Sequence, residues 1–145
     1  MVDKKLLQDL KEKFEAGPAE AQLEDTLLVF EFFKQAAQEN ETIQDFLDGE
    51  DIRVQLYLTD EDTWFWLKAL GADIDYAEGK VEEPSFVFKT TMENAVGVIF
   101  GEVDPTAAYM AGKVTIEGNL QDALAFNDLI LDAIEYFEEL IEDLD

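Results

Sequence analysis

The chain has 145 residues, of which 48% are hydrophobic and 12% aromatic, a length and composition that suit one domain with a sizeable core. Its 35 acidic and 10 basic residues give a net charge of −25, which opposes binding to nucleic-acid phosphates and to anionic membranes. Cysteine and histidine are both absent, which excludes disulfides, thiolate nucleophiles, histidine bases and sulfur-ligated metals.

Two further features bear on location and partners. No apolar run reaches the roughly 18 residues of a membrane-spanning helix, and the start MVDKKLL lacks the apolar core and cleavage site of a signal peptide. We therefore expect a cytoplasmic protein with no integral membrane span. The acidic surface is either simply solvated or attracts a basic partner.

The first third of the chain predicts helices. Residues 3–16 form an amphipathic helix that either packs on its own domain or binds a membrane surface or a partner. Gly17 ends this helix, and Pro18 suits the first position of the next. Residues 19–38 are apolar nearly all round, which favours a buried core helix or a helix with one face on a ligand cavity or subunit contact. A short helix is predicted at 42–47.

Alternating apolar residues then predict three strands. Residues 52–58 have one dry face and one amphipathic face. Residues 63–67 are apolar on both faces, so we expect a central strand that is covered on both sides. A third strand follows at 73–78. Trp64 and Trp66 of the second strand are interpreted as core residues or, alternatively, as a cofactor platform.

A strand and a helix are predicted next. Pro84 marks the start of a strand in which Phe86 and Phe88 point the same way. The helix covers residues 91–101 and contains Gly97 at a cost of about 1 kcal/mol relative to alanine. This glycine indicates either a close approach of backbone or ligand, or an ordinary packing requirement.

The remaining sequence predicts a short helix, a strand and a long helix. Proline at the first position and glycine after the end delimit a helix at 105–111. Val114 and Ile116 alternate with polar residues in a strand at 113–117. Asn119 then caps a helix at 120–144, whose apolar residues span more of its circumference than one sheet can cover.

Two segments carry a resemblance to a known family: FVFKTTMENAVGVIFGE at 86–102 and GKVTIEGN at 112–119. With them, the chain from about 52 to 129 resembles the sterol carrier protein family, also called non-specific lipid-transfer domains. The similarity fades after Leu129, and the first 40 residues match poorly. The resemblance implies an α+β fold whose sheet and helices enclose an apolar cavity for acyl chains or sterols.

The resulting fold prediction is α+β, with a five-stranded, mostly antiparallel sheet covered by helices, an extra N-terminal helix and a long C-terminal helix. We expect a single domain over 1–145, with a sterol-carrier-like core at about 40–130 and a helical extension at 1–38. The two terminal extensions are expected to pack against each other or against a second subunit.

The predicted binding site is the apolar cavity. Its lining residues are those whose strand or helix face should turn inward, namely Phe33, Trp64, Trp66, Phe88, Val96, Ile99, Tyr109, Met110, Phe126 and Ile130. The alternation does not decide whether the odd- or the even-numbered residues of strand 63–67 face inward. Burying about sixteen methylenes contributes up to roughly 12 kcal/mol before association costs, so no charged anchor is required. The alternative is that these residues fill a solid core.

The sequence therefore predicts a soluble, non-catalytic lipid-binding carrier. No catalytic triad, zinc site or phosphate-binding glycine loop can be assembled, and among 35 acids some carboxylate pair meets by chance in any fold. We expect a hydrophobic small molecule or lipid as ligand, and no cofactor, metal or nucleic acid. The alternative function is an assembly module with a filled core, whose terminal helices form a homodimer or dock onto a partner protein.

Overall fold

Helices precede and follow a central run of strands along the chain. The computed structural model describes residues 2–17, 20, 22–100 and 102–144. In these residues the elements are, in chain order, α1 Lys4–Ala16, α2 Asp25–Glu39, α3 Glu41–Leu47, β1 Asp51–Leu58, β2 Thr63–Leu70, β3 Asp73–Glu78, β4 Phe86–Thr90, α4 Met92–Ile99, α5 Pro105–Met110, β5 Val114–Gly118 and α6 Leu120–Glu142.

The strands form one mixed sheet in the order β3-β2-β1-β4-β5. Neighbouring strands are antiparallel except β1 and β4, which run parallel. The predicted fold class is confirmed: α+β, a five-stranded, mostly antiparallel sheet with helices, an N-terminal helix and a long C-terminal helix.

The parallel pair depends on a connection that crosses the sheet, because parallel neighbours cannot be joined by a tight turn. Gln55 of β1 holds this connection on the outer face. Its Nε2 donates to the carbonyl oxygens of Phe65 and Gly79, both at 2.9 Å, and its Oε1 accepts from the Val81 N–H at 2.9 Å. These bonds satisfy a polar side chain that is only 3% exposed.

The inner face of the sheet is covered by helices. Helix α2 packs over β3, and α6 packs over β1, β4 and β5. In β2 this face carries Phe65 and Leu67, which are buried, so the odd-numbered residues of this strand point inward. The buried side chains of this face join those of α1, α2 and α6 in one continuous apolar cluster.

One expectation is wrong: β2 is not covered on both sides, because no helix of the described residues packs on its outer face. Trp64 and Trp66 lie on this face and are half-buried rather than enclosed. Trp64 stacks on Tyr57, with ring centroids 4.3 Å apart, and Lys80 Nζ lies 4.7 Å from its ring centroid. Stacking and cation–π contact stabilise the indole on a half-exposed face without a second helical layer.

Helix α2 also begins later than predicted. The expected start at 19 and the expected role of Pro18 lie outside the described residues, but the residues at 22–24 form a turn before the helix begins at Asp25. The Asp25 carboxylate accepts the Gln22 N–H at 2.8 Å and lies 3.4 Å from Lys13 Nζ. These contacts hold the turn and delay the helix. Gly101, the expected end of α4, also lies outside the described residues.

The terminal extensions pack against each other, which is one of the two arrangements expected. The ring of Phe14 in α1 lies 5.2 Å from that of Phe100 and 6.1 Å from that of Phe137 in α6, measured between centroids. Phe32 of α2 meets Phe137 edge-on at 5.5 Å. Helices α1, α2 and α6 therefore share an aromatic contact behind the sheet.

Candidate ligand cavity

An apolar cavity lies between the inner face of β1, β4 and β5 and the helices α4, α5 and α6. Its volume is about 220 Å³. An enclosed space of about 150 Å³ already holds benzene, whereas sites for drug-sized ligands span about 300 to 1,000 Å³. The described lining residues are Phe30, Val54, Leu56, Phe86, Phe88, Ala95, Val98, Ile99, Pro105, Thr106, Tyr109, Ile116, Leu120, Ala123, Leu124, Phe126, Asn127 and Ile130.

The sheet wall of the cavity is built by β4 and its two neighbours. Phe88 is paired with Leu56 on the parallel side and with Ile116 on the antiparallel side, so three large side chains share one face. Phe86 lies opposite Gly118, where a Cβ would come within 2.7 Å of the Ser85 carbonyl oxygen. Gly118 therefore allows β5 to approach β4 closely beside the cavity.

The helical wall is fixed by caps. Thr91 Oγ1 accepts the Asn94 N–H at 3.3 Å at the start of α4. Asp104 Oδ1 accepts the Thr106 N–H at 3.0 Å at the start of α5. Asn119 Oδ1 accepts the N–H groups of the second and third residues of α6, at 2.9 and 3.2 Å. These side-chain bonds fix where each cavity-lining helix begins.

The cavity opens to solvent through an apolar rim. Tyr109, Leu120 and Leu124 line the cavity and are also 44%, 53% and 61% exposed, which places them at its mouth. Ile130 lines the cavity and is 4% exposed, which places it at the closed end. Helix α6 thus runs from the mouth into the protein.

The lining is almost devoid of polar groups. None of the described lining residues is charged. The polar side-chain groups of the described lining are the amide of Asn127 and the hydroxyls of Thr106 and Tyr109. The Oδ1 atom of Asn127 is buried without a hydrogen-bond partner among the described residues. Such a lining suits an uncharged, apolar ligand, because an ionised group would lose its hydration without gaining a counter-charge.

The structure brings together half of the residues predicted to line the cavity. Those that do line it are Phe88, Ile99, Tyr109, Phe126 and Ile130. They come from β4, α4, α5 and α6, so the predicted inward faces of these four elements meet in one space.

The other five predicted residues do not line this cavity. Trp64 and Trp66 lie on the outer face of the sheet. Phe33 borders a separate void of about 30 Å³ among α1, α2 and α6. Val96 is buried on another side of α4, whose cavity face is formed by Ala95, Val98 and Ile99, and Met110 is 82% exposed at the end of α5.

Sequence reasoning missed several lining residues of α6. The missed residues are Leu120, Ala123, Leu124 and Asn127, which recur with the predicted Ile130 at intervals of three and four and so lie on one helical face. This spacing is visible in the sequence. Because α6 is apolar over much of its circumference, the spacing alone did not separate the cavity face from the faces that pack on α1 and α2.

Comparison with known proteins identifies the family of this chain. The profile of the SCP-2 sterol transfer family matches residues 30–131, and this chain belongs to that family. The resemblance inferred from 86–102 and 112–119 is thereby confirmed. The match begins upstream of residue 52, so it also includes the cavity residue Phe30.

One relative matches about half of this chain. Hydroxysteroid dehydrogenase-like protein 2 of Homo sapiens is 33% identical over 72 residues, which are 49% of this chain and 17% of that protein. This chain therefore matches less than a fifth of the length of that relative.

Two solved structures share the fold. The sterol carrier protein domain 2 of Helicoverpa armigera has a TM-score of 0.59 at 18% identity, over 79% of this chain and 94% of that one. The palmitated SCP2L2 of Aedes aegypti has a TM-score of 0.52 at 14% identity, over 76% and 95%. At these identities the likeness concerns the fold.

The described residues contain neither a candidate membrane-spanning helix nor a candidate metal-binding cluster. No helix among them is both long enough and apolar enough to cross a membrane. Nor does the described part of the chain group three or more Asp or Glu side chains in a way that could hold a metal ion.

Proposed function

We propose that this chain is a lipid-binding carrier that holds a hydrophobic ligand, such as an acyl chain or a sterol, between its sheet and helices. The observation that carries the proposal is the apolar cavity of about 220 Å³ with its exposed apolar rim. A ligand that fills the cavity and extends to the rim covers Tyr109, Leu120 and Leu124. Each methylene that leaves water on binding contributes about 0.8 kcal/mol.

Family membership and one relative support this function. The family is described as one of sterol transfer, and the Aedes aegypti structure of the same fold is described as palmitated. The proposal includes no catalytic step, because the cavity lining offers no charged side chain among the described residues. A cytoplasmic location and a single domain remain predictions from the sequence.

The packing of the terminal helices favours the carrier over an assembly module. The assembly hypothesis rested on surplus apolar surface of α2 and α6. In α2, Val29, Phe30, Phe32 and Phe33 are buried within the chain, and Leu27 and Leu28 are half-buried against the same core. Of the three exposed leucines of α6, Leu120 and Leu124 form the cavity rim, and Leu131 lies outside the cavity lining.

A cavity-filling substitution tests the proposal. Ala123 lies on the cavity face of α6, so Ala123→Phe places a ring where the ligand would lie. Ala107 is exposed on α5 and does not line the cavity, so Ala107→Phe is the matched control. Both variants and the wild type are titrated with a fluorescent acyl probe, and thermal unfolding checks that each is folded.

We expect Ala123→Phe to weaken probe binding about tenfold or more, which corresponds to the loss of roughly two buried methylenes. Ala107→Phe should bind as the wild type does. Equal binding by a folded Ala123→Phe protein would exclude this cavity as the site, and a wild-type protein that binds no apolar probe would refute the carrier function.

A further inference from the structure

The ligand cavity has a smaller apolar void as its neighbour. This second void, of about 30 Å³, is the one that Phe33 borders among α1, α2 and α6. Among the described lining residues, Ile99 at the end of α4 borders both the cavity and the second void. The Ile99 side chain is therefore part of the wall that the two spaces share.

Two helices continue from the cavity to the second void. In α6, Ile130 lines the cavity, and Ala133 and Ile134, about one turn further along, border the void. In α2, Phe30 lines the cavity and Phe33, again about one turn on, borders the void. Because α6 runs inward from the mouth, the second void lies beyond the closed end of the cavity.

The second void suits the end of an apolar chain. Its described border consists of leucine, isoleucine, valine, alanine and phenylalanine side chains. Its volume of about 30 Å³ is roughly twice the space that one water-sized probe needs. An apolar void of this kind stays dry, so methylenes that enter it gain dispersion contacts without displacing bound water.

We propose that Ile99 sets the length of the acyl chain that this carrier accepts. The chain enters tail first, because its polar head keeps its hydration at the mouth, and the terminal methyl stops at Ile99. The second void is an extension of the site that Ile99 closes off. This inference rests on the proposed carrier function, since it requires that the cavity takes up a ligand.

The test measures affinity as a function of chain length. Saturated fatty acids from octanoate to hexadecanoate, all ionised at about pH 8, displace a fluorescent hydrocarbon probe from the wild type and from two variants, Ile99→Ala and Ile134→Ala. Ile134 is half-buried as Ile99 is, but it borders the second void and not the cavity. Ile134→Ala is therefore the matched control, because it enlarges the void without opening the shared wall.

In the wild type, each added methylene should tighten binding about fourfold until the tail reaches Ile99, and by much less beyond that length. In Ile99→Ala this limiting length should increase by about two methylenes or more, because the second void and the space of the lost side chain join the cavity. In Ile134→Ala it should stay where it is in the wild type. Thermal unfolding checks that each variant is folded, and Ile99→Val, with a smaller increase, replaces an alanine variant that does not fold.

A second measurement shows directly where the tail ends. Leu10 of α1 is buried and borders the second void but not the cavity. In Ile99→Ala the terminal methyl of bound hexadecanoate should give nuclear Overhauser contacts to the methyl groups of Leu10. In the wild type it should give none.

Three results would overturn the role of Ile99 and leave the carrier function standing. They are an unchanged limiting length in Ile99→Ala, an equal increase in Ile134→Ala, and contacts between the tail and Leu10 in the wild type. If neither the hydrocarbon probe nor any of the fatty acids binds to the wild type, the carrier function fails, and the chain-length limit fails with it.

Discussion

Gly118 shows how a single residue shapes the cavity wall. Its φ is +115°, and a Cβ would lie 2.7 Å from the Ser85 oxygen and 2.9 Å from Phe86 Cα. Gly118→Ala therefore adds both backbone strain and a clash with the strand that carries Phe86. We expect it to lower the free energy of unfolding by about 2–3 kcal/mol, measured by urea denaturation.

The control for this substitution is Gly112→Ala. Gly112 has a φ of +76°, but a Cβ there would meet no heavy atom within 4 Å. Its cost should be limited to the backbone strain, about 1 kcal/mol. If both substitutions cost the same, the close approach of β5 to β4 at Gly118 is not a requirement of the fold.

Several site residues could not be predicted because the deciding information is tertiary. In β2 both faces are apolar, so the alternation in the sequence did not show which residues face inward. The packed helices decide this, because they cover Phe65 and Leu67 and leave Trp64 and Trp66 on the outer face. Asn127 is recognisable in the sequence only as a polar residue in a helix. Its missing hydrogen-bond partner becomes visible when α6 is packed on the sheet.

At the scale of whole elements, the sequence was more informative. The alternation in β1 marks a strand, the glycine that ends β5 and the asparagine after it mark a boundary and a cap, and the proline of α5 marks a helix start. These features are present in the structure. The start of α2 was predicted too early, because the carboxylate of Asp25 binds backbone at a turn that no periodic pattern reveals.

A hydrogen bond between helices gives an element-scale prediction that depends on pH. The Tyr136 hydroxyl of α6 donates to Glu39 Oε1 of α2 at 2.6 Å. Burial and this acidic partner raise the pKa of Tyr136 to about 12. Burial alone would raise the pKa of Glu39, but hydrogen bonds, including those from Tyr136 and the Val2 N–H, lower it below its ordinary value of 4.5.

Tyr136→Phe should therefore cost about 1 kcal/mol of unfolding free energy near pH 7. Because the pKa of Glu39 is lowered in the folded state, its ionised carboxylate adds to the free energy of unfolding above pH 4.5. This contribution is lost as pH falls through the folded-state pKa. Because the pKa of Tyr136 is raised in the folded state, its protonated hydroxyl adds to the free energy of unfolding below pH 10. This contribution is lost as pH rises through about 12. Urea midpoints of the wild type and the variant across this range provide the measurement. A difference that is independent of pH would mean that the hydroxyl contributes by packing alone.

At the scale of the whole molecule, the dominant feature is the net charge of −25. Asp132 of α6 illustrates its consequence, since burial and then the neighbouring carboxylates of Glu135 and Asp128 raise its pKa. Raising NaCl from about 0.1 to 1 M shortens the screening length from about 10 to 3 Å. We therefore expect the urea midpoint of unfolding to rise with salt.

Asp132→Asn is the matched variant for this prediction. It removes one of the repelling charges, so its midpoint at low salt should exceed that of the wild type, and its dependence on salt should be smaller. A midpoint that stays constant or falls with NaCl would show that self-repulsion does not limit the stability of this chain.

The central claim is that the cavity carries an apolar ligand, and the most direct measurement is native mass spectrometry of the freshly purified protein. The wild type and Ala123→Phe are purified side by side, and solvent extraction identifies what each released. We predict a bound amphiphile at about one per wild-type chain, and little or none on the cavity-filled variant. Bare wild-type protein that also takes up no added acyl probe, or equal occupancy of both proteins, would contradict the account.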